Sequence, residues 1–513
     1  MSKTAENRSG VLQWVVVLGV GALVIALILS LQLIPRLSDG QKVLNGAKPA
    51  FTTQRLQADV AGIDMISRNV DMADPIVTPQ GGGAAEIPAV VAYVAKTEHV
   101  SDAKALALMQ KSFPHTTALL LALPLSSVTA ELPGLEAFLE KTLHVTPAQL
   151  IAALKTNFPA LTEAITNLPT VTNGWYNIPG IDGLTDFNGT PVKTVPQLRT
   201  YFKNDLIPAV AAQQGNFQSL DGTSSVSWIA PVLLVIAGIV VVFALAMIVR
   251  NLRGTPGRRE SIGAATVVPV VGVVVVALVL ALALIPRVHH GQKLLDGLAP
   301  AFNAQRVAGD QAGAKMVAAI VDTENPIMTP SGGAAAEVPK LIAFVSSKTG
   351  LSSTQVVAAL AKNFPHVTSL LEALPLSSVS AELPKLTAFL KPAIPAVPRL
   401  AQTIVNTPAV TSGWNDVPGM NGATTFANQP IKTVPDVQNY FSNDVIPVLA
   451  DQRGNYDTLT SISRIDFIGW LVLAIGVIVI LYGLLMVALA AGWLRGSDDP
   501  AAEPAGGPAP APS

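Results

Sequence analysis

The chain has 513 residues, of which 50% are hydrophobic and only 13% charged, with a formal net charge of −1. A soluble domain carries about 25% charged residues, so the deficit points to membrane spans, and the balance favours neither nucleic acid nor an anionic surface. There is no cysteine, which excludes disulfides, thiolate nucleophiles, zinc–thiolate sites and iron–sulfur clusters.

Residues 1–11 form a short polar N-terminus with Lys3 and Arg8. Leu12 to Ile34 is apolar and uncharged; as a helix its 23 residues extend about 34 Å, enough for a hydrocarbon core of about 30 Å. Trp14 marks the inner interface. The run is longer than a signal-peptide core and no clean cleavage site follows, so an uncleaved span is predicted over 12–34. Residues 35–227 form a first large segment. Trp228 to Val249 is the second span. The connector 250–266 carries Arg250, Arg253, Arg258 and Arg259, which predicts that it is cytoplasmic. Val267 to Ile285 is the third span, with Pro269 and Gly272 near its start. Residues 286–466 form the second large segment, and 467–494 the fourth span. The Pro/Ala-rich tail, 495–513, is expected to be disordered and cytoplasmic. Both large segments are then extracytoplasmic. Arg36, Lys42, Arg287 and Lys293 lie just outside the spans and oppose this orientation, but long domains translocate despite such charges.

Leu33-Ile34-Pro35-Arg36, followed by Gly40-Gln41-Lys42, recurs as Leu284-Ile285-Pro286-Arg287 with Gly291-Gln292-Lys293. Pro75 pairs with Pro326, Glu86 with Glu337 and His115 with His366, all at an offset of 251. Trp175 with Trp414, Asp205 with Asp444 and Asn216 with Asn455 share an offset of 239. The second copy is thus 12 residues shorter, the difference between the offsets. Each copy has two spans, so both insert with the same orientation, as parallel repeats. A smaller repeat at an offset of 45 relates His99-Val100-Ser101, Phe113-Pro114 and Leu123-Pro124 to His144-Val145-Thr146, Phe158-Pro159 and Leu168-Pro169. It reads as helix–turn–helix, with Thr146 as N-cap, Pro147 at the first helical position and Pro159 starting the next helix. Glycine- and proline-rich strings such as Thr78 to Gly83 are loops. A short strand or hairpin near Trp175 to Val195 fits the pattern as well. The fold class is therefore an all-α multi-pass membrane protein, with four transmembrane helices and two homologous, mostly α-helical extracytoplasmic domains side by side. Small residues, Gly19, Gly21, Gly272, Gly469 and Gly476, allow close helix packing.

Candidate sites are sparse. His115 and His366 occupy the same place in Phe-Pro-His and read as pH-sensitive or ligand-contacting; a helix-start residue held by local hydrogen bonds is the favoured alternative, because no metal-ligand spacing recurs. His289-His290 reads as a solvated interfacial pair. Glu86 and Glu337 follow glycine-rich loops and favour the positive end of the next helix. Trp175 and Trp414 line a binding groove or, as the commoner case, close a helical core. Arg36, Lys42, Arg287 and Lys293 are candidate lipid-headgroup contacts. Phosphate-loop, nucleophile-elbow, HExxH and dinucleotide motifs are absent, and no charged residue lies in the middle of a span. No cofactor or metal is implied.

The leading expectation is a non-enzymatic plasma-membrane protein whose paired outer domains bind or scaffold a cell-envelope protein partner. The alternative is a lipid- or apolar-ligand-binding accessory to transport; a sensor would need a separate output protein. Membrane lipids are implied as partners, nucleic acid is not, and homo-oligomerisation is compatible with the chain. Alanine, glycine and proline are abundant and lysine sparse, the flavour of a GC-rich bacterial genome.

Overall fold

The computed structural model describes residues 3–78, 82–221, 227–254, 258–329, 333–461 and 464–491. Residues 79–81 of the first glycine-rich loop, Arg495 and the tail expected to be disordered lie outside the described residues. In chain order, the first half begins with α1 (Lys3–Ser30), α2 (Leu33–Ala47), α3 (Thr53–Val77), α4 (Gly83–Thr97), α5 (Asp102–Ser112) and α6 (Pro114–Ala122). It continues with α7 (Leu125–Leu143), α8 (Pro147–Asn157), α9 (Pro159–Gly174), α10 (Val195–Tyr201), α11 (Ile207–Ala212), α12 (Gln214–Asp221) and α13 (Ile229–Arg253). The second half has α14 (Arg258–Ala281), α15 (Leu284–Leu298), α16 (Ala304–Met328), α17 (Ala334–Thr349), α18 (Ser353–Asn363) and α19 (Pro365–Ala373). It ends with α20 (Leu376–Leu390), α21 (Pro398–Gly413), α22 (Val434–Tyr440), α23 (Ile446–Thr460) and α24 (Phe467–Ala491). Among the described residues the only β-pairing is two isolated bridges, Thr185 with Pro191 and Thr424 with Pro430. The hairpin near Trp175 to Val195 is thus a compact loop closed by one bridge.

The chain divides into two compact units, one of residues 1–44, 219–295 and 455–513, the other of 45–218 and 296–454. The expected separate domains at 35–227 and 286–466 are therefore not separate. Both feed one interleaved unit, because helices of each half find their packing partners in the other.

The first unit holds four helices long and apolar enough to cross a membrane: Gly10–Ser30, Ile229–Arg253, Arg259–Ala281 and Phe467–Ala491. They pair within each half, α1 along α13 and α14 along α24. Small residues set these contacts. Gly272 faces the backbone of Gly476 and Ile480, Gly469 faces Ile285, and Gly21 sits against Val241 and Ala237. Gly483 lies against the ring of Pro269, whose nitrogen carries no hydrogen to satisfy. Gly19, by contrast, faces open space. The Tyr482 hydroxyl donates to the Gln13 carbonyl at 3.0 Å and ties α24 to α1.

The first and third spans end earlier than their apolar runs. A proline ring clashes with the carbonyl four residues back, which for Pro35 is Leu31 and for Pro286 is Leu282. The helix breaks there, with Gln32 at φ 50° and Ala283 at φ 45°, and restarts as α2 and α15.

In the second unit, α3 and α16 are buried on nearly every side, from Leu56 to Val77 and from Val307 to Met328. Both carry buried polar residues among the apolar ones, Asp59, Ser67 and Asn69 on α3 and Asp310 and Thr323 on α16. α3 packs on α21 and α16 on α9, each pairing one half with the other; α6 packs on α19. The helix–turn–helix pattern appears as α5–α6 and α8–α9. Thr146 caps α8 in a capping box with Gln149, as Ser352 does α18 with Gln355.

Gly272→Ala places a Cβ 2.8 Å from the Ile480 nitrogen and 2.9 Å from the Gly476 carbonyl, contacts that only a backbone shift relieves. It should lower stability by about 1–3 kcal/mol, whereas Gly19→Ala should be near neutral. Thermal melting in detergent tests this; equal melting of both variants would refute the packing assignment.

Candidate functional site

The second unit is tied together by carboxylates that cross between halves. Helices α6, α9, α19 and α21 begin after Phe113, Phe158, Phe364 and Val397, none of which supplies a side-chain cap. Each starts with proline, so its remaining first-turn amides need an acceptor from elsewhere. Glu86 accepts from the Arg399 and Leu400 amides at 3.0 and 2.8 Å, and Glu337 from Ala160 and Leu161 at 3.3 and 2.8 Å. Glu131 accepts from His366 and Val367 at 3.2 and 2.9 Å, and Glu382 from His115 and Thr116 at 3.1 and 2.8 Å. Negative charge at a helix N-terminus is favourable, and charge-assisted bonds are strong. Glu86 and Glu337 lie in the first turns of α4 and α17, the next helices in sequence, and in addition cap α21 and α9 of the opposite half.

The same crossing recurs at two arginines. Arg55 donates to the Thr424 and Thr425 carbonyls at 3.0 and 2.6 Å and lies 5.1 Å over Phe426. Arg306 donates to the Thr185 and Asp186 carbonyls at 3.0 and 2.6 Å and lies 5.0 Å over Phe187. One turn along each helix sits a buried acid, Asp59 or Asp310, 3% and 1% exposed. Burial pushes each carboxyl up to about 7, against the opposing pull of the Tyr440 or Tyr201 hydroxyl and of the arginine.

His115 and His366 lie in the first turns of α6 and α19, with ring Nδ1 at 3.0 Å from the Glu372 carbonyl and 3.1 Å from the Leu121 carbonyl. A carbonyl only accepts, so Nδ1 carries the proton. Trp175 and Trp414 are fully buried, donating to Asp74 Oδ1 at 2.9 Å and Asn325 Oδ1 at 3.0 Å. Asp74 also accepts from the Tyr176 hydroxyl and pairs with Arg399 at 3.3 Å. Lys42 is paired with Asp39 at 2.8 Å, while Lys293 is exposed. Among the described residues no cluster of three or more His, Cys, Asp or Glu suits a metal ion.

The structure brings none of the candidate histidines and glutamates to one chemical centre. It reveals instead a cavity of about 80 Å³ at the meeting of the halves. Its walls include Met72, Leu132, Ile165, Trp175, Ile327 and Leu371; among the described residues, Thr323 and Glu324 are its polar side chains apart from the indole. Asn69 Nδ2 donates to Glu324 Oε2, and Asn69 Oδ1 is buried without a partner. Burial pushes Glu324 up to about 8, with Asn69 opposing. This pair has no counterpart: the positions 251 away are Ile320 for Asn69 and Ala73 for Glu324. Many other paired positions of these two helices differ as well, Asp64 against Lys315 among them, so nothing in the sequence singled this pair out.

No protein-family profile, curated protein or solved structure matches the chain.

Glu337→Ala should cost about 1–3 kcal/mol, because buried amides of α9 lose their acceptor, and Glu337→Gln less. Denaturant midpoints of the full chain measure both; an alanine variant as stable as the parent would refute the cap.

Asp59 and Asp310 bind protons more tightly folded than unfolded, where an aspartate titrates near 3.9. Their stabilising contribution is complete below pH ~4, and it is lost as pH rises through about 7. The change is on the order of 4 kcal/mol for each. Stability should fall between about pH 4 and 7 and level off above, and Asp59→Asn with Asp310→Asn should flatten that slope. Melting curves across this range check it; an unchanged slope in the double variant would count against both groups.

Proposed function

We propose that the chain is a non-enzymatic, four-span protein of the plasma membrane, built by tandem duplication, whose interleaved helical unit lies outside the cytoplasm and binds an apolar ligand. The observation that carries the ligand reading is the apolar cavity with Glu324, held by Asn69, at its wall. A carboxyl kept in apolar surroundings is costly, and the same packing at the matched positions manages without one. A cavity of this size is about half that of an apolar pocket that holds benzene, so it suits a short aliphatic group or the end of a longer chain. Glu324 supplies a polar contact at its wall. The duplicated halves and the arginines of the connector support the proposed topology.

The scaffold reading retains one specific support. The four crossing carboxylates and two crossing arginines make the unit a firm platform for an envelope protein. The cavity favours the ligand reading over it.

Native mass spectrometry of the gently extracted protein tests this. A small lipophilic adduct at one per chain should be retained, and Ala164→Phe, which fills the cavity, should remove it. An adduct retained equally by both forms, or a co-purifying protein in place of any adduct, would overturn the ligand reading.

A further inference from the structure

Among the described residues, the two arginines that follow the broken spans have buried donors without a hydrogen-bond partner. Nε and Nη1 of Arg36, and Nη1 of Arg287, are buried without a hydrogen-bond partner. Guanidinium stays charged at any physiological pH, so it cannot escape the cost of burial by losing a proton. The carboxylate one turn along α2, Asp39, is taken by Lys42 at 2.8 Å. These donors thus call for an anion.

A second observation says what carries the anion. The four apolar helices enclose a cavity of about 220 Å³ with a wholly apolar lining. Its walls include Leu27, Leu31 and Leu33 of the first half with Ile468 and Ile475 of the second. Leu33 and Arg36 are three residues apart on α2, and therefore on one face of that helix. Leu33 at the wall of this apolar slot thus lies one turn from the unpartnered guanidinium donors of Arg36. The corresponding void beside Leu284, near Arg287, is only about 10 Å³. The two halves differ here as well.

We propose that this unit binds one phospholipid, with its phosphate on Arg36 and an acyl chain in the cavity among the four apolar helices. The planar guanidinium matches a phosphate diester through two parallel hydrogen bonds. The chain fills space that water would not enter. The cavity's apolar lining recognises the tail and Arg36 the headgroup phosphate, so the site is selective for an amphiphile over either part alone. This rests on reading the four apolar helices as membrane spans.

The test uses the full chain in detergent with phosphatidylglycerol as the probe, read by native mass spectrometry. The parent should retain one lipid at fixed stoichiometry. Arg36→Gln should weaken retention about tenfold, Arg36→Lys should restore part of it, and Val271→Phe, which fills the slot, should abolish it. Arg464→Gln is the control, since Arg464 is exposed and already paired with Asp466 at 2.9 Å. Matching melting temperatures of parent and Arg36→Gln separate lipid loss from unfolding. Equal retention by parent and Arg36→Gln would overturn the phosphate assignment. Displacement by millimolar inorganic phosphate, with no effect of Val271→Phe, would overturn the lipid as its source. The membrane reading fails separately, if the chain is released from membranes by alkaline carbonate.

Discussion

A helix that begins Phe-Pro cannot cap itself. The phenylalanine offers no oxygen to the first turn, and the amides beyond the proline still need an acceptor. In this chain three helices begin that way and a fourth begins Val-Pro. All four take a glutamate from the opposite half. The consequence is architectural. A half whose helix starts are completed only by the other half has no finished fold of its own. The core follows the same rule, with α3 and α16 each buried against a helix of the opposite half.

Two kinds of buried polarity sit within this arrangement and carry different meanings. Asp59 and Asp310 are matched, each one turn from an arginine that grips the partner loop. Matched features belong to the fold, and their cost is borne twice for the same structural reason. Glu324, bonded by Asn69, is unmatched and borders a cavity. Arg36 and Arg287 are matched in sequence, yet only Arg36 neighbours a sizeable void along its helix.

Much of the local structure is legible in the residues. The spans follow from uncharged apolar runs, the helix starts from Phe-Pro, and the capping boxes from Thr146 and Ser352. The exchange between halves is not legible, for a definite reason. Glu131 could cap His115 or His366 equally well, because the surrounding sequence is nearly the same in both halves. Periodicity and spacing say which residues correspond, not which half supplies the partner. Asp59 is hidden for another reason: an aspartate four residues after Arg55 resembles a solvated helix pair. Only the tertiary packing turns that stretch inward. The helix ends lie a few residues inside the apolar runs, because apolarity continues past the point where the proline breaks the helix.

The crossing caps also set an order in time. Glu131 waits for an amide 235 residues further along the chain, and Glu86 for one 314 residues on. At a synthesis rate of about 5–20 residues per second, that is a wait of roughly ten seconds to a minute. During it the first half is already made, with carboxylates that have no helix to cap and a central helix whose apolar face has no cover. The nascent chain therefore passes through a prolonged, half-assembled state, and whatever shields that uncovered face is part of how this fold is reached.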